Sequence, residues 1–161
     1  MDTDKNYLDF SSAQTFGHFL NFSRKLMAFR NTHPSLRPAD FFKGRDSNGN
    51  GLKDITWLQN NGEEAGSDYL NNPDNHFLAY RIDGTEFGDS VQSIYVAYNG
   101  WRDSIRATLP ANQNGKQWFR VCDTAGWMEN EDNFRNPGQE DRLTARDYTL
   151  AGRSILILIE K

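Results

Sequence analysis

The sequence predicts a mainly β fold with a single helix at its head, on three observations. Apolar residues recur at helical spacing between Thr15 and His33. After Pro38 the pattern changes to short β-rich runs punctuated by Gly, Asn, Asp and Pro. The chain has 161 residues, 37% hydrophobic and 13% aromatic, so it can bury one core and has little room for two full domains. Runs of this length and spacing describe an antiparallel sandwich or barrel.

The helix comes first. Phe16, Phe19, Leu20, Leu26 and Met27 fall on one side of a 3.6-residue period, and Phe22 and Phe29 widen the stripe. Ser11 with Gln14 three residues later fits a capping box, and His33-Pro34 stops the helix because the residue before proline avoids helical angles. Strands are expected at Ile55 to Leu58, Phe77 to Ile82, Ser93 to Tyr98, Ile105 to Leu109, Gln117 to Cys122 and Ser154 to Glu160. Asn99-Gly100 sits between two of these runs and favours the positive φ angles of a two-residue turn, so Ser93 to Leu109 reads as a β-hairpin. Gly126 to Arg146, rich in charge and Asn, reads as a long surface loop.

Composition narrows the partners. The net charge is −4, with 18 basic residues scattered among 22 acidic ones, so no positive field exists to hold phosphates or an anionic membrane. Neither nucleic acid nor membrane is an expected partner. Cys122 is the only cysteine, which leaves folding to packing and is compatible with a reducing compartment; a cytoplasmic location is the expectation. No stretch approaches the roughly 20 apolar residues that a membrane span requires, and Met1 to Lys5 shows no apolar signal-peptide core.

Specific words then take over from composition. Leu26-Met-Ala-Phe-Arg-Asn-Thr-His-Pro-Ser-Leu-Arg37 resembles the last barrel helix of isoamylases and glycogen-debranching enzymes of the α-amylase superfamily, and Asn6-Tyr-Leu-Asp-Phe10 is similar to the segment before it. Lys53 to Trp57, Asn71 to Pro73, Ile94 to Trp101, Leu109-Pro110, Trp118 to Val121 with Asp123-Thr124, and Gly152 to Lys161 resemble the C-terminal sandwich of that family, in the family's order. The resemblance implies that residues 1–38 are the remnant of a catalytic (β/α)8 barrel and that residues 39–161 form a C-terminal β-sandwich of seven or eight strands. It further implies a parent that hydrolyses α-1,6 branch linkages of glycogen or starch, and a sandwich that packs on the barrel and supports it.

This placement also bears on chemistry. Retaining glycosidases need two carboxyl groups about 5 Å apart, normally on barrel strand ends. By the resemblance those groups precede the last barrel helix, so no catalytic residue is expected here. Asp74-Asn75-His76 has the wrong order for the family's Asn-His-Asp and reads as a turn; Glu63-Glu64 and Glu129 to Asp132 read as solvated charge. Cys122 reads as a small core residue and His33 as a helix C-terminal residue that meets free carbonyls. Asp46, Asn48, Asn50 and Asp54 space oxygen ligands as calcium loops do, with Gly51 at the sixth place, but Trp57 stands where the closing carboxylate belongs, so a hairpin loop is preferred to a calcium site and no cofactor is assigned. Tyr98, Trp101 and Trp127 are the candidates for a glucan-stacking platform, whereas Trp57, Trp118 and Phe119 read as core. A carbohydrate-binding module for α-glucans and a plain interaction domain are the rival functions. The helix carries more apolar surface than one-sided packing needs, so without a barrel a second copy of the same helix, meeting through Thr15 to Arg30, is the natural cover.

Overall fold

The computed structural model describes residues 12–161. Asn6 to Phe10 and the Ser11 half of the expected capping box lie outside the described residues. One helical turn, α1 (Ser12–Thr15), leads into α2 (Gly17–Thr32), which ends as expected: the N–H of His33 donates to the Phe29 carbonyl, and Pro34 breaks the ladder.

Eight strands follow: β1 (Ile55–Leu58), β2 (Phe77–Asp83), β3 (Ser93–Asn99), β4 (Ile105–Thr108), β5 (Trp118–Asp123), β6 (Asp141–Arg142), β7 (Asp147–Leu150) and β8 (Ser154–Glu160), with a helical turn α3 (Ser67–Leu70) after β1. Six form one antiparallel sheet in the order β1-β2-β3-β8-β5-β6, and β4 pairs with β7 in a second sheet. The mainly β sandwich behind one helix is therefore present, and each expected strand lies within a residue or so of its expected bounds.

The expected hairpin does not form. β3 lies between β2 and β8 and makes no pair with β4. Asn99 is still strand, opposite Phe77, and Gly100 does not adopt a positive φ. The Asn99 amide instead donates to the carbonyls of Asp103 and Ala151, while its Oδ1 accepts the Trp101 N–H. A buried side chain thus builds a corner that carries the chain across to the second sheet. The local turn signal lost because two long partners, seven register pairs each, compete for β3. Gly126 to Arg146 is also no mere surface loop: a 3-10 turn (Gly126–Glu131), β6 and the buried Met128 and Phe134 tie it into the fold.

Strand alternation makes two cores. Phe77, Ala79, Tyr95, Ala97, Trp118, Leu156 and Leu158 project from one face of the large sheet and meet Ala107 and Leu150 of the small one. Ile94, Cys122, Ile157 and Ile159 project from the other face, where Phe22 and Phe29 of α2 cover them together with Val121 and Phe134. The molecule is thus three layers, helix on sheet on sheet. Trp118 and Cys122 are core as expected; Trp57 is not, standing half-exposed on the outer face of β1, and Phe119 is only partly buried.

Candidate functional site

Helix α2 is held to the sandwich at three points. At its C-terminal end His33 Nδ1 lies 2.8 Å from Asp89 Oδ1, and Asp89 Oδ2 accepts the Ser35 hydroxyl at 2.6 Å. Midway, Lys25 Nζ donates to Asp132 Oδ2 and to the Phe134 carbonyl, and Phe22 and Phe29 meet the Phe134 ring edge to face. Near its start His18 Nδ1 lies 3.1 Å from Asp132 Oδ1. Two expectations are corrected here. His33 meets a buried carboxylate rather than free carbonyls, and Asp132 is a clamp rather than solvated charge. Neither spacing nor composition pointed to Asp89 or Asp132, because their partners lie 56 and 107 residues away in sequence.

The Asp89 carboxylate has no exposed surface. Burial pushes its acidity down, but the hydrogen bonds from His33 and Ser35 and the charge of the imidazole outweigh burial and hold the carboxyl below its ordinary range. Serine, histidine and aspartate stand together, yet hydroxyl and imidazole each bond to the carboxylate and not to one another, and Ser35 is fully buried, so the imidazole is not placed as in a hydrolase triad. The other buried carboxylates are likewise structural acceptors. Asp54 takes backbone N–H groups from Lys43, Gly44, Arg45 and Ile55; Asp83 takes Thr85 and the amides of Asn48 and Asn50; Glu160 takes Arg81 and the Gln113 N–H.

In the calcium-like loop the side-chain oxygens also accept N–H groups. Asp46 accepts the N–H groups of Gly49 and Gly51, Asp54 faces the start of its own loop, and the oxygens of Asn48 and Asn50 accept the N–H groups of Asn50 and Leu52. The side-chain amides of Asn48 and Asn50 both donate to Asp83 and Thr85. Among the described residues no group of three or more His, Cys, Asp or Glu side chains is placed to hold a metal ion.

The side of α2 away from the sandwich is bare. Phe19 is 69% exposed and Met27 60%, with Phe16 and Leu26 beside them. The stripe read from sequence is therefore split: Phe22 and Phe29 face inward, while most of the residues that defined it face out. Beside the helix, the half of the large sheet that α2 does not cover presents Trp57, Tyr98 and Ile155, and Phe41 in the connection from the helix is 97% exposed.

The three aromatic candidates each have different immediate neighbours. Trp101 is stacked on His76, with centroids 4.3 Å apart and planes 4° from parallel, and its indole N–H donates to Asp103. Tyr98 stands on the helix-bearing face of β3, opposite Ile155 of β8. Trp127 rises from the 3-10 turn with one face on the Arg120 guanidinium, 4.6 Å from the ring centroid.

A family described as "Isoamylase, C-terminal" matches residues 54–159. The chain belongs to the isoamylase C-terminal family. It is 43% identical to an isoamylase of Flavobacterium sp. and 40% identical to an isoamylase of Pseudomonas amyloderamosa, in both cases over its whole length, and it spans about a fifth of the length of these relatives, 21% and 20%. Among solved structures it is similar to a type I pullulanase of Bacillus subtilis complexed with maltose, with a TM-score of 0.61 at 19% identity over 96% of this chain and 17% of that one. That likeness shows the fold: the arrangement of helix and sandwich seen in this chain recurs in that structure with little sequence in common.

Proposed function

We propose that this chain is the non-catalytic C-terminal part of an isoamylase-type debranching enzyme, and that it holds and steadies the catalytic barrel while the barrel hydrolyses α-1,6 branch linkages of glycogen or starch. The observation that carries this reading is the two-sided helix. α2 is clamped on one side by His33, Lys25 and the phenylalanine cluster, and on the other it leaves Phe16, Phe19 and Met27 in water next to the bare half of the sheet. Several large apolar side chains left in water on one element mark a contact site rather than an ordinary solvent face. The family to which the chain belongs supplies the partner, since relatives five times longer carry the rest of an enzyme.

Complementation tests it. Mixed with the Flavobacterium isoamylase from which the matched fifth has been removed, the chain restores or stabilises branch cleavage, and Phe19→Asp or Met27→Asp prevents this without lowering the melting temperature of the chain itself. Alone, it releases no reducing sugar from glycogen, amylopectin or pullulan. Turnover by the isolated chain that disappears on mutation of one of its own residues would end this reading.

A further inference from the structure

We infer that Trp127 is a stacking platform for a neutral pyranose ring, a secondary binding site for an α-glucan chain. The choice of glucan among sugars rests on the function proposed above; the stacking site rests on its own geometry.

Trp127 is 57% exposed in a turn anchored by the buried Ala125, two residues before it, and Met128, the residue after it. The turn is held in that form at a cost. Asp132 and Asn133 both adopt left-handed φ angles, 56° and 55°, and the Asn133 amide ties back to the carbonyls of Asp123 and Ala125. The indole does not lie loose on the surface either. One face rests on the Arg120 guanidinium, which donates to Asp141 at 2.6 Å and to the Tyr148 hydroxyl at 3.3 Å; that hydroxyl in turn donates to the buried Asp123 at 2.5 Å. A large flat side chain presented to water on a rigid cationic base is pre-organised for a ring ligand, because little freedom is lost when the ligand arrives.

The chemistry around it selects the ring. A nucleobase would bring phosphates toward Glu131, Asp132 and Asp141 on a chain of net charge −4. A neutral sugar brings C–H groups for the indole face and hydroxyls for the charged groups at its root. The base of the platform lies apart from the helix: Arg120 projects from the face of β5 that carries Trp118 and meets Tyr148 of the small sheet, whereas α2 covers the opposite face. Trp101 is the poorer candidate, since its ring is already engaged by His76 and by the Arg102 guanidinium.

Affinity electrophoresis in gels with and without amylopectin, paired with maltoheptaose titration followed by tryptophan fluorescence, reads the site directly. The chain is retarded by amylopectin; Trp127→Ala runs as it does in the sugar-free gel, with binding weakened at least tenfold; Trp127→Tyr keeps most of the retardation; Trp101→Ala leaves it unchanged. On the unmodified chain, maltoheptaose protects Trp127 from oxidation by N-bromosuccinimide, located by mass spectrometry of peptides. An unretarded chain, retardation that survives Trp127→Ala, or protection at Trp101 instead of Trp127 overturns the inference. A chain that restores the truncated isoamylase but is not retarded overturns this inference alone and leaves docking standing.

Discussion

Individual residues show how much of this fold rests on groups that water cannot reach. Asp54 and Asp89 are each held below the ordinary carboxylate range although burial opposes it: at Asp54 because backbone N–H groups of Lys43, Ile55, Gly44 and Arg45 outweigh burial, at Asp89 because His33 and Ser35 do. A depressed folded-state pKa means that the unfolded chain binds protons first, so the stability these groups contribute is complete above the unfolded carboxylate value and is lost as pH falls through it toward the folded value. The urea midpoint should therefore hold from neutrality down to about pH 5 and fall below about pH 4. Asp89→Asn should cost about 2 kcal/mol at pH 7 and make the acid limb shallower, which paired urea titrations would measure. Cys122 gives a second residue-scale expectation: burial, and then the neighbouring Asp123, push its thiol up to about 12, so a disulfide reagent at pH 8 should find no thiol in the folded chain and one after denaturation. Gly152 gives a third. A Cβ there would lie 2.0 Å from the Arg102 carbonyl oxygen, where the corner after β3 crosses the approach to β8, so Gly152→Ala should destabilise by about 1–3 kcal/mol in thermal or urea unfolding. Cys122 was legible as core from its place in an apolar run; nothing local marked Gly152 or Asp89, whose importance comes from a chain segment far away in sequence.

Among the elements, α2 behaves as an attached layer. Its contact with the sheet is a few rings and three polar clamps, and half-buried rings such as Phe22 and Phe29 contribute on the order of 1–2 kcal/mol each. Phe29→Ala should cost about 1–3 kcal/mol, less than truncation of a fully buried phenylalanine. The loss should be local. Hydrogen exchange at the amides of α2 should rise while β3 and β8, each paired on both edges, keep their protection; equal loss throughout would show that helix and sandwich unfold as one unit. The helix was legible because its period and its proline stop are local signals. Its orientation was not, since a stripe broad enough to face two partners does not say which partner is present. The Ser93 to Leu109 hairpin failed for the complementary reason: Asn-Gly reports a local preference, whereas pairing depends on which edges are free.

For the whole molecule, the exposed side of α2 and the bare half of the sheet set the behaviour of the isolated chain. With no other cover present, a second copy is the available partner, and light scattering after size exclusion should show association at high micromolar concentration that Phe19→Asp reduces without lowering the melting temperature. A monomer at all concentrations would mean that the face tolerates water. What the linear order of residues determined was the β class, the helix ahead of it, the position of six of the eight strands and the family. These follow from periodicity and from short ordered words, which need no knowledge of distant contacts. The tertiary structure alone decided that β4 leaves β3 for a separate sheet with β7, that Phe22 and Phe29 rather than Phe16 and Phe19 meet the core, that the oxygens of the calcium-like loop accept N–H groups of that loop, and that Trp101 stacks on His76 while Trp127 rests on Arg120. Each of those outcomes depends on groups distant in sequence competing for one position in space, and that competition is settled only when the layers close.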